Sequence, residues 1–266
     1  MVADTFDPAA LEAALAGTRF AGKLHYFPAI PSTNNYAMQK AETGAADGSV
    51  YFADEQSAGR GRGAHAWSSP PGAGLYLSVL LRPQIAPADI LWLSLAAGLA
   101  AQDAIRSVAG LNPDLRWPND LLLGPKKFCG ILTELNAEVT RVRHAVIGIG
   151  INVHQDYFPD ELRAIATSLS IETDRHFSRQ DLLLALLQSL DREVRVLSDS
   201  SRLQRGAQSI RERLEAGSSW IRGKRVRVEE NGGFTGTTAG LDARGFLQVQ
   251  TADGVRTVFS GGVREN

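Results

Sequence analysis

Between a strand-like SVYFADE (residues 49–55) and a strand-like LYLSVLLR (75–82) the chain runs through QSAGRGRGAHAWSSPPGAG. Gly59, Gly61, Gly63, Gly72, Gly74, Pro70 and Pro71 fall in that interval. A stretch so rich in residues lacking a Cβ or a backbone donor is neither helix nor strand. It is a loop pinned at both ends by strands, and its backbone must come close to something. Arg60 and Arg62 alternate with the glycines, so guanidinium groups and backbone N–H groups are presented together. That combination suits a carboxylate, a phosphate or both. A solvated basic linker shares the alternation but has no use for the large aromatic Trp67.

With 266 residues, there is room for one large domain, or a large one and a small one. A net charge of −1 argues against a general nucleic-acid or membrane-surface binder. The single cysteine, Cys129, excludes an internal disulfide and fits a reducing cytoplasm. No cysteine–histidine cluster is present to hold zinc. The apolar run at 91–101 falls short of the roughly 20 residues that span a bilayer. Asp4 and Asp7 stand where a signal peptide would be basic, so a cytoplasmic location is expected.

Asp7-Pro8 starts a first helix that Gly17 stops, and 23–27 reads as a strand. Ser32 or Thr33 caps a helix ending near Gly44, so capping is one sufficient reason for Ser32, Thr33 and Asn34. Residues 88–108 form a long, largely buried helix. DLLL and KFCGILTEL flank a Gly-Pro turn as a hairpin bearing Lys126 and Lys127. HAVIGIGINV (144–153) is an apolar strand whose glycines mark a bulge or a ligand's close approach. Helices are expected at 160–166, at 179–197 with Ser178 as its cap, and near 204–214. From Trp220 onward, short alternating strands separated by NGG, DARG and ADG turns predict a small SH3-like β-barrel. The expected organisation is α+β, a mixed β-sheet flanked by helices over 1–218 followed by the barrel over 219–266.

Three stretches carry the chemistry. The first loop holds Gln56, Arg60, Arg62 and Trp67; RWPND holds Arg116, Asn119 and Asp120; the hairpin holds Lys127. The four cations suit a polyphosphate, Asp120 is available for Mg²⁺, and Trp67 can stack on a base. No nucleophile–base pair announces itself: Cys129 lies in an apolar strand, and His65 suits a solvated surface as well as catalysis. The residues therefore point to phosphoryl or nucleotidyl chemistry run by positioning and charge.

GRGRGAHAW, RWPNDLLL…KKFCGIL and GIGINV, in that order, preceded by STNNY and followed by a small β-domain, resemble the biotin–protein ligases over nearly the whole chain. The resemblance implies a two-step reaction. Biotin and MgATP give biotinyl-5′-adenylate and pyrophosphate, and a lysine of a biotin carboxyl carrier domain then takes the biotinyl group. It places biotin against Ser32, Thr33, Asn34, Gln56, Gly59, Arg60, Gly61, Arg62 and Lys127. It places ATP against Arg62, Trp67, Arg116, Asn119, Asp120, Lys127 and Asn152. Lys127, Arg62 and Asp120 become the catalytic group, with Asp120 as the Mg²⁺ ligand. Two departures stand out: His65 occupies the place of a second basic residue before Trp67, and Arg116 replaces the commoner lysine ahead of WPND. The resemblance is to members without an N-terminal DNA-binding domain, so neither DNA nor membrane contact is expected, and a homodimer through the sheet edge is compatible with it. The alternatives are a lipoate–protein ligase and, in another class, a non-catalytic nucleotide- or RNA-binding protein.

Overall fold

The computed structural model describes residues 5–63, 65–197, 200–230, 232–260 and 262–266. Asp7 accepts from the amides of Ala9 and Ala10 at 2.9 and 3.1 Å, and Pro8 occupies a first-turn position that needs no donor. Helix α1 (Pro8–Ala14) therefore starts at the expected cap. Strand β1 (Leu24–Ile30) leads to Ser32, which caps α2 (Thr33–Glu42) by accepting from the Asn35 amide. Strands β2 (Val50–Gln56) and β3 (Gly74–Leu81) bracket the glycine-rich loop. A 3-10 turn at Pro87–Asp89 then opens α3 (Leu91–Ala109), displacing the helix start from 88.

Three strands, β4 (Asp114–Arg116), β5 (Asp120–Leu123) and β6 (Lys126–Ala137), precede β7 (Val142–Asn152). Helices α4 (Asp160–Arg163), α5 (Leu169–Thr173), α6 (Arg179–Arg195) and α7 (Ser200–Gly217) follow. The first sheet has the order β1-β2-β3-β7-β6-β5-β4; β1 and β2 run parallel and the other pairs antiparallel, so it is mixed as expected.

Alternation along the strands divides the two faces. Leu75, Leu77 and Val79 join Ile147, Ile149 and Ile151 in the main core with α3 and α6. The other face is covered by α2, where Ala37 and Ala41 pack on Tyr51, Leu80 and Val146. Apolar packing on that face is small, and register places Ser78 opposite Gly148 and Gly130 opposite Gly150 there. The α2 face is thus left with a polar floor. Among the described residues α3 with its leading turn is the one helix long and apolar enough to cross a membrane, and 72% of that window is buried inside this fold.

Strands β8 (Arg222–Val228), β9 (Phe234–Leu241), β10 (Leu247–Thr251), β11 (Gly254–Val258) and β12 (Val263–Glu265) form a second, antiparallel sheet. Its order is β11-β10-β9-β8-β12. The second sheet is the small SH3-like β-domain expected from the alternation; among the described residues no ladder joins β11 to β12. Its core is continuous with the first: Trp220, Ile221 and Leu247 cluster with α3 residues, and Trp117 Nε1 donates to Gly245 O at 2.9 Å.

Candidate active site

The glycine-rich loop is a folded unit. The amides of Ser57, Ala58, Gly61 and Trp67 donate to the carbonyls of Ile30, Pro31, His65 and Gly59 at 2.8 to 3.2 Å. Fewer bare amides remain than the sequence suggested, so the loop serves mainly to place side chains over the α2 face. The cleft beneath is lined by Ser32, Thr33, Asn34, Gln56, Arg60, Gly61, Arg62, Trp67, Asn119 and Lys127, with Gly130, Gly148 and Gly150 in its floor.

One end is neutral and polar. Gln56 Oε1 accepts from the Thr33 amide at 2.9 Å and stands 3.0 Å from Thr33 Oγ1. Ser78 Oγ lies 2.8 Å from Thr33 Oγ1 and 2.6 Å from Asn34 Oδ1. These three contacts between oxygens share only the two hydroxyl protons of Thr33 and Ser78. The cluster is short of a donor, so it favours a bound group that brings an N–H. Arg60, expected to face a substrate anion, instead pairs with the protein's own Glu134 at 2.9 Å and donates to Asn35 Oδ1 at 2.7 Å.

The other end is cationic. Arg116 donates to Asp120 Oδ2 at 2.8 Å, while Lys127 Nζ forms an ion pair with Oδ1 at 2.7 Å without hydrogen-bond alignment. Burial would raise the Asp120 pKa, but Lys127 and Arg116 together outweigh it and hold the carboxyl below the usual range. Arg62 rests on neutral acceptors, Asn119 Oδ1 at 3.1 Å and the Ser260 carbonyl at 2.6 Å. Burial lowers its pKa, with Asp120 opposing, but a guanidinium stays charged. Two cations share one carboxylate here and, among the described residues, Arg62 pairs with no carboxylate, so this end is net positive.

Trp67 covers the floor between the two ends. A Cβ on Gly150 would collide with its Nε1, and one on Gly130 with its ring edge, so the facing glycines make a seat for the indole. Lys127 Nζ lies 5.2 Å from the ring centroid, and Nε1 is buried without a partner. A Cβ on Gly148 would likewise strike Asn34 Oδ1. The strand glycines Gly148 and Gly150 therefore mark close approach, but by side chains of the protein. Burial raises the Cys129 thiol pKa far above its ordinary value and removes it as a nucleophile.

A cleft graded from neutral and acceptor-rich to cationic suits a molecule with a neutral N–H-bearing head and an anionic tail. Comparison with known proteins agrees. Residues 26–152 match the biotin/lipoate A/B protein ligase family, and residues 222–263 match the biotin protein ligase C terminal domain. The bifunctional ligase/repressor BirA of Bacillus subtilis is 37% identical over 243 residues, 90% of this chain and 73% of that protein. The chain belongs to the biotin–protein ligase family. The biotin–[acetyl-CoA-carboxylase] ligase of Mycobacterium tuberculosis is 34% identical over 239 residues, 87% of this chain and 85% of that one. The Aquifex aeolicus biotin protein ligase solved with biotin and ATP superposes with a TM-score of 0.79 at 28% identity, covering 92% of this chain and 100% of that one. The last two are biotin ligases by name, so the lipoate reading is not favoured.

Within this ligase fold the expected residues divide. Ser32, Thr33, Asn34, Gln56, Arg60, Gly61, Arg62, Trp67, Asn119 and Lys127 converge on the cleft, and Ser32 both caps α2 and lines it. Gly59, Arg116, Asp120 and Asn152 lie outside the lining. A Cβ on Gly59 would meet Trp67 O, so its role is to let the loop close on itself. Arg116 is turned toward Asp120 and the Trp220 ring, and the Asn152 amide donates to Thr167 O at 3.0 Å. His65 is exposed on the loop.

The residues do not form a resident Mg²⁺ site. Each Asp120 oxygen already faces a cation, and among the described residues no three His, Cys, Asp or Glu side chains gather. Ser78 and Glu134 escaped the sequence reading. Their signal was alternation, because Ser78 on β3 and Glu134 on β6 share the face that carries Gly148 and Gly130.

Proposed function

We propose that the ring urea of biotin occupies the Thr33–Asn34–Gln56 end, with its carboxylate directed at Lys127 and Arg62. The enzyme is a biotin–protein ligase. The biotin carboxylate attacks the α-phosphorus of ATP, pyrophosphate leaves, and biotinyl-5′-adenylate forms. A lysine amine of the acceptor then attacks the carbonyl of the mixed anhydride, releasing AMP and leaving an amide.

The grading of one cleft from neutral to positive carries this reading. Two anions meet only where positive charge offsets their repulsion, and Lys127 and Arg62 supply that charge beside a head site that lacks it. In the proposed arrangement Lys127 draws charge from both reacting groups. Arg62, anchored on Asn119 and on the Ser260 carbonyl between β11 and β12, covers the adenylate against water, and Trp67 packs on adenine. Asp120 keeps Lys127 in place.

The acceptor is a biotin carboxyl carrier domain, as the family implies. The proposal includes a catalytic unit at 1–218 and a second domain at 219–266, a homodimer through the open edge at β1, and a cytoplasmic setting without DNA or membrane contact. The near-zero net charge and the buried single cysteine support the last of these. Incubating the protein with biotin, MgATP and an apo carrier domain tests the central claim. The carrier should gain the mass of one biotinyl group. An unmodified carrier, together with no biotin-dependent exchange of pyrophosphate into ATP, would sink it.

A further inference from the structure

Glu134 on β6 does not line the cleft, yet its carboxylate joins two side chains that do. Asn34 Nδ2 donates to its Oε2 at 2.9 Å, and Arg60 pairs with both oxygens at 2.9 and 3.0 Å. The first contact decides which way the Asn34 amide points. A reversed amide would set Oδ1 against a carboxylate oxygen, two acceptors facing each other without a proton. Glu134 thus forces the Asn34 carbonyl toward Ser78 Oγ, and that orientation is what leaves the Thr33–Ser78–Asn34–Gln56 cluster one proton short. The second contact cancels the charge of Arg60, the cation nearest the head end.

We propose that Glu134 is a positioning residue that sets the polarity of the head pocket, holding it acceptor-rich and uncharged so that it selects a neutral ring with outward N–H groups. This rests on the biotin reading above. Glutamine at this position has an amide of its own, which can donate to Asn34 Oδ1 and allow the reversed orientation. The pocket then gains a donor facing inward and an unneutralised Arg60, and both changes oppose the same ligand.

The test measures biotin-dependent ATP–pyrophosphate exchange by the full chain, its E134Q variant and its E134D variant. The substrates are biotin and 2-iminobiotin, in which a cyclic guanidinium replaces the urea. For E134Q, KM for biotin should rise roughly tenfold, the scale of one charge-assisted hydrogen bond, with kcat and the KM for ATP within about twofold. The cationic analogue should lose several-fold more than biotin does, because it meets the bared Arg60 charge. E134D, which keeps the charge on a shorter arm, should show the same KM-only pattern at smaller size, and it carries the test if E134Q does not fold. The proposal is overturned if biotin KM is unchanged. It is equally overturned if kcat and both KM values move together while the ratio between the two substrates stays fixed, the mark of a merely structural carboxylate. Absence of biotin-dependent exchange in the unsubstituted protein would instead overturn the biotin reading itself.

Discussion

The two ends of the cleft use the same device to opposite effect. At the head end Glu134 faces one arginine, and Arg60 is neutralised. At the reactive end Asp120 faces two cations, Arg116 and Lys127, and a positive remainder is left beside Arg62. Neither carboxylate lines the cleft; each sets from behind what the lining presents. A count of cations around the cleft therefore misstates its field, which is set by how many carboxylates stand in the second row. Lys127→Ala attacks that difference most directly. It removes a donor from the reactive end and leaves Asp120 uncompensated on that side, in the place an incoming carboxylate must approach. Pyrophosphate exchange should fall by at least roughly a hundredfold, while the protein stays folded because Arg116 still pairs with Asp120. Retained exchange would remove Lys127 from the reaction.

The two floor glycines separate the ends more finely. Gly148 is flush with Asn34 at the neutral end, and Gly150 with Trp67 nearer the charged one. Gly148→Ala should displace the amide and raise the KM for biotin about tenfold, and Gly150→Ala should unseat the indole and do the same for ATP. Each should leave the other substrate's KM nearly unchanged. Parallel changes in both constants for both variants would show that the ends are not independent.

What the sequence made legible follows the same division. Cations and glycines are conspicuous in one dimension, and GRGRG, the hairpin lysine and the GIG strand all lie at the cleft. Their partners are not conspicuous. Alternation puts Glu134 on the face of Gly130, but nothing local shows that Arg60 is 74 residues from its counter-charge. The sequence offers Arg116 as a phosphate contact because cations near a motif look alike; the β4–β5 hairpin turns it onto Asp120 instead. The elements left unread, β4, α5 and β12, are three, five and three residues long, too short for either periodicity to register. Alternation foretold four of the second sheet's five strands, but how its edges pair depends on long-range contacts that alternation does not encode.

Acid should also probe the reactive end. Because the folded-state pKa of Asp120 is lowered, its ion pairs contribute stability that is fully present above the ordinary aspartate value near 3.9 and is lost as pH falls through the lower folded value. Asp120→Asn should thus cost about 1–3 kcal/mol at neutral pH, discounted for the partly exposed Lys127. The gap to the unsubstituted protein should narrow only below about pH 4. Denaturant melts across acid pH check this, and a gap that closes between pH 5 and 7 would mean another group is titrating.

The smallest effect should come from Arg116→Lys. Arg116 touches Asp120 with one nitrogen at 2.8 Å and lies 5.5 Å from the Trp220 ring, turned away from the cleft. Lysine keeps the charge that balances Asp120 and loses the planar stacking, so stability should drop by no more than about 1 kcal/mol. Exchange should stay within about threefold, since the reactive end keeps its net charge. A loss approaching that of Lys127→Ala would mean that Arg116 reaches the nucleotide after all. The line drawn here between residues that face the substrates and residues that set the field behind them would then have to move outward by one shell.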